Sequence, residues 1–131
     1  MTAVRPARER DLARCRVIQA AALAEPWPDL LPTALAGEAP FLVLTDGGEV
    51  CGYAVALAAE GEPAYVPEFA IDPARQGEGL GTRLMRGLCR RLRADGHGEV
   101  RLTVHAAGGD GLLLARRLDG PAGAAAGDGA E

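Results

Sequence analysis

The 131-residue sequence contains no lysine, because all 14 of its basic residues are arginines. Without lysine the chain cannot form the phosphate-binding P-loop, G-x-x-x-x-G-K-[ST]. The formal net charge is −4, and this weak acidity argues against a protein that coats nucleic acid. We therefore expect no nucleic-acid partner and no P-loop chemistry.

Paired cysteines are also missing. Cys15, Cys51 and Cys89 are odd in number and widely spaced, and no C-x-x-C pair occurs. This pattern favours buried free thiols over a zinc site or a disulfide framework, and we expect no metal. No apolar run is long enough to cross a membrane, and Met1 to Arg10 lacks the apolar core of a signal peptide. These features predict a cytoplasmic protein with no membrane partner.

What the sequence does contain fits one domain, since hydrophobic residues make up 48% of it. Periodicity predicts both strands and helices. The predicted strands are 4–6, 41–44, 50–57, 65–71 and 100–105, and the predicted helices are 8–23, 31–36, 82–94 and 112–118. Residues 120–131 contain only Gly, Ala, Pro, Asp and Glu, so we expect a domain over 1–119 and a disordered tail over 120–131.

Two local signals refine the strands. Asp46-Gly47-Gly48 between two apolar runs predicts a hairpin, because glycine supplies the positive φ of tight turns. Pro67 lies inside a predicted strand and cannot donate to a ladder, so the strand is expected to be bulged or unpaired there.

The segment Gln76-Gly77-Glu78-Gly79-Leu80-Gly81-Thr82 joins a predicted strand to a predicted helix. Its glycines allow a ligand to approach the backbone closely, and the amides at a helix N-terminus attract anions. The spacing does not match the dinucleotide fingerprint G-x-G-x-x-G. From the loop alone, two interpretations stay open: a pyrophosphate cradle, or a glycine-rich corner that binds nothing.

A family resemblance distinguishes between them. Gln76-x-x-Gly79-x-Gly81, preceded by Ala70-Ile71-Asp72-Pro73 and followed by Leu84-Met85, resembles motif A of the GNAT N-acetyltransferases. Flanking segments agree in order over roughly residues 4–118, and the branch that the chain most resembles acetylates ribosomal-protein N-termini. The resemblance implies an α/β fold with a mixed, centrally splayed sheet flanked by helices.

The resemblance also implies acetyl-coenzyme A as cosubstrate. The loop amides are expected to hold its pyrophosphate, and the strand before the loop is expected to carry the pantetheine arm. The implied binding residues are Phe69, Ala70, Ile71, Gln76, Gly77, Glu78, Gly79, Leu80, Gly81 and Thr82. Arg75 and Arg83 are close enough to the loop in sequence to attract phosphates.

The chain departs from the family pattern in its last part. Gly108 stands where the family has an asparagine, and Ala115 stands where it has a tyrosine that protonates the departing thiolate. Thr103 replaces a glutamate of the ribosomal-protein branch. The final two strands of the fold are expected to be missing, with a helical piece over 112–118 instead.

Glu68 is the best remaining candidate for a catalytic base, and His105 is a second candidate for proton transfer. A solvent-facing glutamate and a structural histidine are the alternatives. Tyr53 and Tyr65 are expected in the core, with an acid role as the alternative. Trp27 either lines an acceptor cleft or packs.

Three hypotheses follow. The chain transfers acetyl from acetyl-coenzyme A to a primary amine, either of a small molecule or of a protein N-terminus. Alternatively, it is a catalytically impaired module that binds acyl-coenzyme A or a partner protein. In the third hypothesis, a homodimer supplies what one chain lacks.

Overall fold

A computed structural model describes residues 1–27, 29–58, 62–105 and 111–117. These ranges contain six strands and three α-helices, and 3₁₀ turns lie at Glu9–Asp11 and Pro73–Arg75. The helices are α1 (Leu12–Ala22), α2 (Leu30–Ala36) and α3 (Leu80–Ala94). The strands are β1 (Thr2–Pro6), β2 (Phe41–Asp46), β3 (Glu49–Leu57), β4 (Ala64–Ile71), β5 (Glu99–His105) and β6 (Gly111–Arg117).

The strands form one mixed sheet in the order β1-β2-β3-β4-β5-β6. Neighbouring strands run antiparallel except β4 and β5, which run parallel because α3 connects them as a crossover. The predicted hairpin between β2 and β3 is confirmed, with Gly47 and Gly48 both at positive φ. The predicted mixed α/β fold is likewise confirmed.

Each face of the sheet is covered by helices. Helix α3 covers one face. Leucines recur at every fourth residue of this helix and are all buried, as their spacing predicts: Leu80, Leu84, Leu88 and Leu92. Helices α1 and α2 cover the other face, where Cys15, Ile18 and Leu31 pack against β2 and β3. Full burial of a leucine contributes roughly 1.5–3 kcal/mol, so both faces are firmly held.

The segment after β5 corrects the sequence-based expectation. A helix was expected over 112–118, but Gly111–Arg117 is a strand that pairs antiparallel with β5, from Glu99↔Arg117 to His105↔Gly111. The expectation that no strand follows β5 is therefore wrong for this segment. Leu112, Leu113 and Leu114 are consecutive apolar residues, a pattern that a helix and a strand can share. The predicted disordered tail, 120–131, lies outside the described residues.

Among the helices of the described ranges, none is long and apolar enough to cross a membrane.

Candidate functional site

The sheet opens between its two parallel strands. Strand β4 pairs with β5 only from Ala64 to Val66, opposite Val100 to Leu102. Beyond Val66 the two strands part, although β4 continues to Ile71 and β5 continues to His105. Within the described residues, the backbone edge of β4 that faces β5 has no strand partner over 67–71, so its amides and carbonyls are open to an extended ligand.

A bulge at the start of this opening sets which side chains face which way. Glu68 pairs with Val55, but Tyr65 pairs with Leu57, so β4 contains one residue more than β3 across this interval. The bulge predicted at Pro67 is thus confirmed. After it, Phe69 and Ile71 pack on the α3 side, while Ala70 packs on the side of α1 and α2.

The loop after β4 leads into the N-terminus of α3. Gly77 and Gly79 have φ values of 89° and 80°, and Gly79 is the N-cap of the helix. A Cβ built on either residue would meet nothing within 4 Å, so the space above the backbone is open. Gly81 has no positive φ, and its Cβ would make only ordinary contacts of 3.9 Å with Ile71 and Phe69.

This local geometry suits an anion. The first bond of the helix runs from the Arg83 amide to the Gly79 carbonyl, at 3.3 Å, so the amides before it have no intrahelical acceptor. The positive end of the helix dipole lies at the same place. A cradle of glycines without side chains, at the N-terminus of a 15-residue helix, fits a pyrophosphate.

Asp72 anchors the beginning of the loop. Its amide donates to the Cys51 carbonyl at 2.8 Å, and its carboxylate accepts from the Ala74 amide at 3.0 Å and from Arg14 of α1. The Ala74 hydrogen bond and the nearby Arg14 hold the pKa of the Asp72 carboxyl below its usual value. Gln76 donates a longer bond, 3.4 Å, to the Ile71 carbonyl. The loop is thus tied at its base.

Arg75, which the sequence suggested as a phosphate-attracting cation, is already paired with two carboxylates. Its guanidinium binds Glu78 at 3.0 Å and Asp46 at 2.6 Å, and these carboxylates raise its pKa. The charge of Arg75 is consequently neutralised within the protein. Arg83 donates to the Thr2 hydroxyl at 3.1 Å and remains exposed beside the first turn of α3.

Glu68 lies at the opening, only 4% exposed, on the side of α1 and α2. Its Oε1 accepts from the Tyr53 hydroxyl and from Gln19 Nε2, both at 2.8 Å, and its Oε2 accepts from the Trp27 amide at 2.8 Å. A carboxylate offers about four lone-pair positions, so three donors occupy most of them. Burial, and then the bond to Glu68, raise the pKa of Tyr53 above its ordinary value, which keeps that hydroxyl protonated.

The acetyltransferase (GNAT) family model matches residues 9–113, which is most of the chain. The chain belongs to the GNAT acetyltransferase family. Mycothiol acetyltransferase of Nocardia farcinica is 36% identical over 86 residues, and the match covers 63% of this chain but only 28% of that protein. The chain therefore spans little more than a quarter of this curated relative.

Solved GNAT structures share the fold. The ribosomal-protein-S18-alanine N-acetyltransferase of Escherichia coli superposes with a TM-score of 0.72 at 27% identity, covering 82% of this chain and 69% of that one. A GNAT acetyltransferase of Brucella melitensis, solved with acetyl-CoA, gives a TM-score of 0.66 at 26% identity, covering 82% of this chain and 78% of that one.

The remaining GNAT expectations concern the C-terminal part. His105 and Thr103 lie on β5 beyond the point where it leaves β4, but their side chains lie outside the described residues. Ala115 lies on β6 opposite Arg101, so it does not occupy the helical position expected for the family tyrosine. Gly108 is also outside the described residues. Within the described part of the chain, no cluster of metal-ligating side chains is present.

The partners of Glu68 were missed by sequence reasoning. Gln19 was not singled out, Tyr53 was expected in the core with an acid role as the alternative, and the Trp27 amide carries no side-chain signal. They lie 49, 15 and 41 positions from Glu68. A buried acidic residue requires donors, and this general rule was the only signal in the sequence that pointed to such a cluster.

Proposed function

We propose that this chain transfers an acetyl group from acetyl-coenzyme A to a primary amine. The observation that carries the proposal is the course of the chain after Val66. Strand β4 separates from β5 there, and the loop that follows β4 passes through Gly77 and Gly79 into the N-terminus of α3. Support comes from relatives, since a Brucella family member was solved with acetyl-CoA and the Escherichia coli relative is an alanine N-acetyltransferase.

The loop and the strand would bind different parts of acetyl-coenzyme A. In this proposal, the backbone of Gln76, Gly77, Glu78, Gly79, Leu80, Gly81 and Thr82 holds the pyrophosphate, and the Thr82 hydroxyl adds a donor. Phe69, Ala70 and Ile71 line the slot for the pantetheine arm. Acetyl-coenzyme A supplies an activated thioester carbonyl, and main-chain amides of the unpaired β4 edge polarise it when the amine attacks.

The amine must lose a proton to react. The sequence-based hypotheses give that proton to Glu68 or, through a relay, to His105. The thiolate leaves as a weak base and does not strictly require a positioned acid. Loss of a positioned acid or base costs about 10²–10⁴-fold in rate, so we expect a slow enzyme whose turnover rises with pH as the acceptor amine deprotonates.

A second candidate function is an acyl-coenzyme A-binding or partner-binding module without useful turnover. The sequence favours it, because Ala115 stands where the family resemblance expects the tyrosine that protonates the thiolate. Both candidate functions use the glycine loop to bind acyl-coenzyme A, and only the first includes transfer of the acetyl group.

One assay separates the two candidates. The release of free thiol from acetyl-coenzyme A is followed with and without amine acceptors, including a peptide that begins with alanine and a set of small primary amines. Acceptor-dependent thiol release supports the transferase. Binding of acetyl-coenzyme A without such release supports the module, and light scattering of the same samples tests the proposed homodimer.

We also propose a cytoplasmic location, where reducing conditions suit three buried thiols.

A further inference from the structure

The segment between α1 and α2 is held in an unusual way. Ala24, Glu25, Pro26 and Trp27 are all exposed, so little apolar burial fixes their position. The Trp27 amide nevertheless donates at 2.8 Å to the buried carboxylate of Glu68. The hydrogen bond to the buried carboxylate therefore fixes the position of this segment, whereas apolar packing fixes the position of other segments.

Glu68 is itself held firmly. Tyr53 is fully buried on β3 and Gln19 lies on α1, and both donate to Oε1 at 2.8 Å. These two bonds hold Oε1, and Oε2 accepts from the Trp27 amide. The cluster thus connects β3, β4 and α1 to an exposed segment beside the opening.

Trp27 is the only tryptophan of the chain, and 49% of it is exposed. Its backbone lies within one side-chain length of the β4 residue that follows the bulge. A large aromatic ring at such a place offers an apolar and cation-attracting surface. Glu25 and Asp29, both exposed, add negative charge within two residues of it.

We propose that Glu68 is a positioning residue, which fixes Trp27 beside the opening so that its indole forms one wall of the site for a cationic amine with an apolar body. The proposal rests on the proposed function and deepens it by naming the acceptor class. The acceptor is attracted as an ammonium ion by the indole and the flanking carboxylates, and it attacks the thioester after losing its proton to solvent.

A pair of substitutions distinguishes positioning from proton transfer. Glu68→Gln retains a carbonyl oxygen that can accept from the Trp27 amide, and its amide group can donate to Tyr53 or Gln19 after they reorient. Glu68→Met has a similar length but no acceptor. A base role predicts that both variants lose turnover alike, by about 10²–10⁴-fold, because neither can take up a proton at neutral pH.

The positioning role predicts a different pattern. Glu68→Gln should keep turnover within a few-fold of the wild type, while Glu68→Met should raise the acceptor KM roughly tenfold or more, the usual effect of losing one hydrogen bond to a charged group. Affinity for acetyl-coenzyme A should be equal in all three proteins. Equal loss of turnover in both variants would overturn the proposal.

Fluorescence of Trp27 tests the contact without any turnover. Acrylamide quenching and the emission maximum should match the wild type in Glu68→Gln and should change in Glu68→Met. Tyr53→Phe is the matched control, because it removes a donor from Oε1 and leaves the Oε2 contact intact, so its quenching should stay at the wild-type value. Unchanged quenching in Glu68→Met would overturn the positioning role whether or not the protein is an enzyme.

Trp27→Ala keeps the backbone contact and removes only the half-exposed indole, so it should fold even if Glu68→Met does not. Its acceptor KM should rise several-fold for amines with an apolar body and much less for ammonia or methylamine, with kcat at saturation retained. An equal KM change for all amines, or no change, would overturn the assignment of the indole as a wall of the acceptor site.

Discussion

The two faces of the sheet differ in how they are built for recognition. On the α3 side, backbone amides at a helix N-terminus face an open space, and the side chains beneath them are apolar. On the side of α1 and α2, a buried carboxylate gathers a hydroxyl, a side-chain amide and a main-chain amide from distant parts of the chain. Backbone recognition suits a ligand common to a family, whereas side-chain recognition suits an acceptor particular to one member.

The largest effect is expected at the cradle. Gly79→Val should weaken binding of acetyl-coenzyme A by at least about tenfold, because a β-branched side chain opposes φ of 80° and fills the space above the loop. Calorimetric titration measures the loss. Gly96→Val is the matched control, since Gly96 has φ of 94° and equally open surroundings at the other end of α3.

Both glycine substitutions impose a similar backbone cost of about 1–2 kcal/mol, so their thermal stabilities should fall together. Only Gly79→Val should lose the ligand. Equal affinity in the two variants would show that the anion site lies elsewhere.

The apolar face of α3 should be sensitive to truncation. Leu84 is fully buried, and Leu84→Ala should lower the free energy of unfolding by about 2–5 kcal/mol in a urea titration. Arg86→Ala, on the exposed side of the same helix, should stay within about 0.5 kcal/mol of the wild type. A small loss for Leu84→Ala would mean that α3 is not packed as described.

The α1 side should show a pH-dependent contribution to stability from a buried carboxylate. Asp11 is buried and accepts from Arg5 at 2.8 and 3.0 Å and from the Arg8 amide at 2.7 Å, and the Arg5 bond lowers its pKa. A lowered folded-state pKa contributes stability above about pH 4, the unfolded value, and loses it as the carboxyl protonates at lower pH.

Asp11→Asn should therefore be less stable than the wild type by about 1–3 kcal/mol at pH 7. The difference should shrink as the pH falls below 4. Urea titrations at pH 7, 5 and 3 measure it, and a difference that is constant over this range would contradict the role of the ionised carboxylate.

The smallest effect is expected for the thiols, which lie on both sides of the sheet. Cys15, Cys51 and Cys89 are all buried, and burial raises the pKa of Cys15 to about 12. A thiol-alkylating reagent at pH 8 should leave the folded protein unmodified and should label all three residues in urea. Mass spectrometry that found rapid labelling of the native protein would reveal an opening of the core.

The cradle and most of the elements were predictable because their signals are local. Glycines at 77 and 79, the leucine stripe of α3 and Pro67 each specify backbone geometry within a few residues. The strand at Gly111–Arg117 was mistaken for a helix, since a short apolar run carries no decisive period and its pairing with β5 is a tertiary effect.

The Glu68 cluster could not be predicted for a related reason. Its donors become neighbours only after the sheet and α1 have packed, and one of them is a main-chain amide that any residue at position 27 could supply. The engagement of Arg75 by Asp46 likewise depends on the β2–β3 hairpin lying beside the loop. Side-chain identity alone therefore singled out Glu68 but did not indicate the donors that surround it.

Calorimetric titration of the wild-type protein with three ligands tests the pyrophosphate cradle most directly. Acetyl-coenzyme A and its dephospho form, which lacks only the 3′-phosphate, should bind within about tenfold of each other. S-acetylpantetheine, which lacks the pyrophosphate and nucleotide, should bind at least about 100-fold more weakly, because each hydrogen bond to a charged group contributes about 1.5–3 kcal/mol. Equal affinity for acetyl-coenzyme A and S-acetylpantetheine, or no binding of acetyl-coenzyme A, would contradict the account.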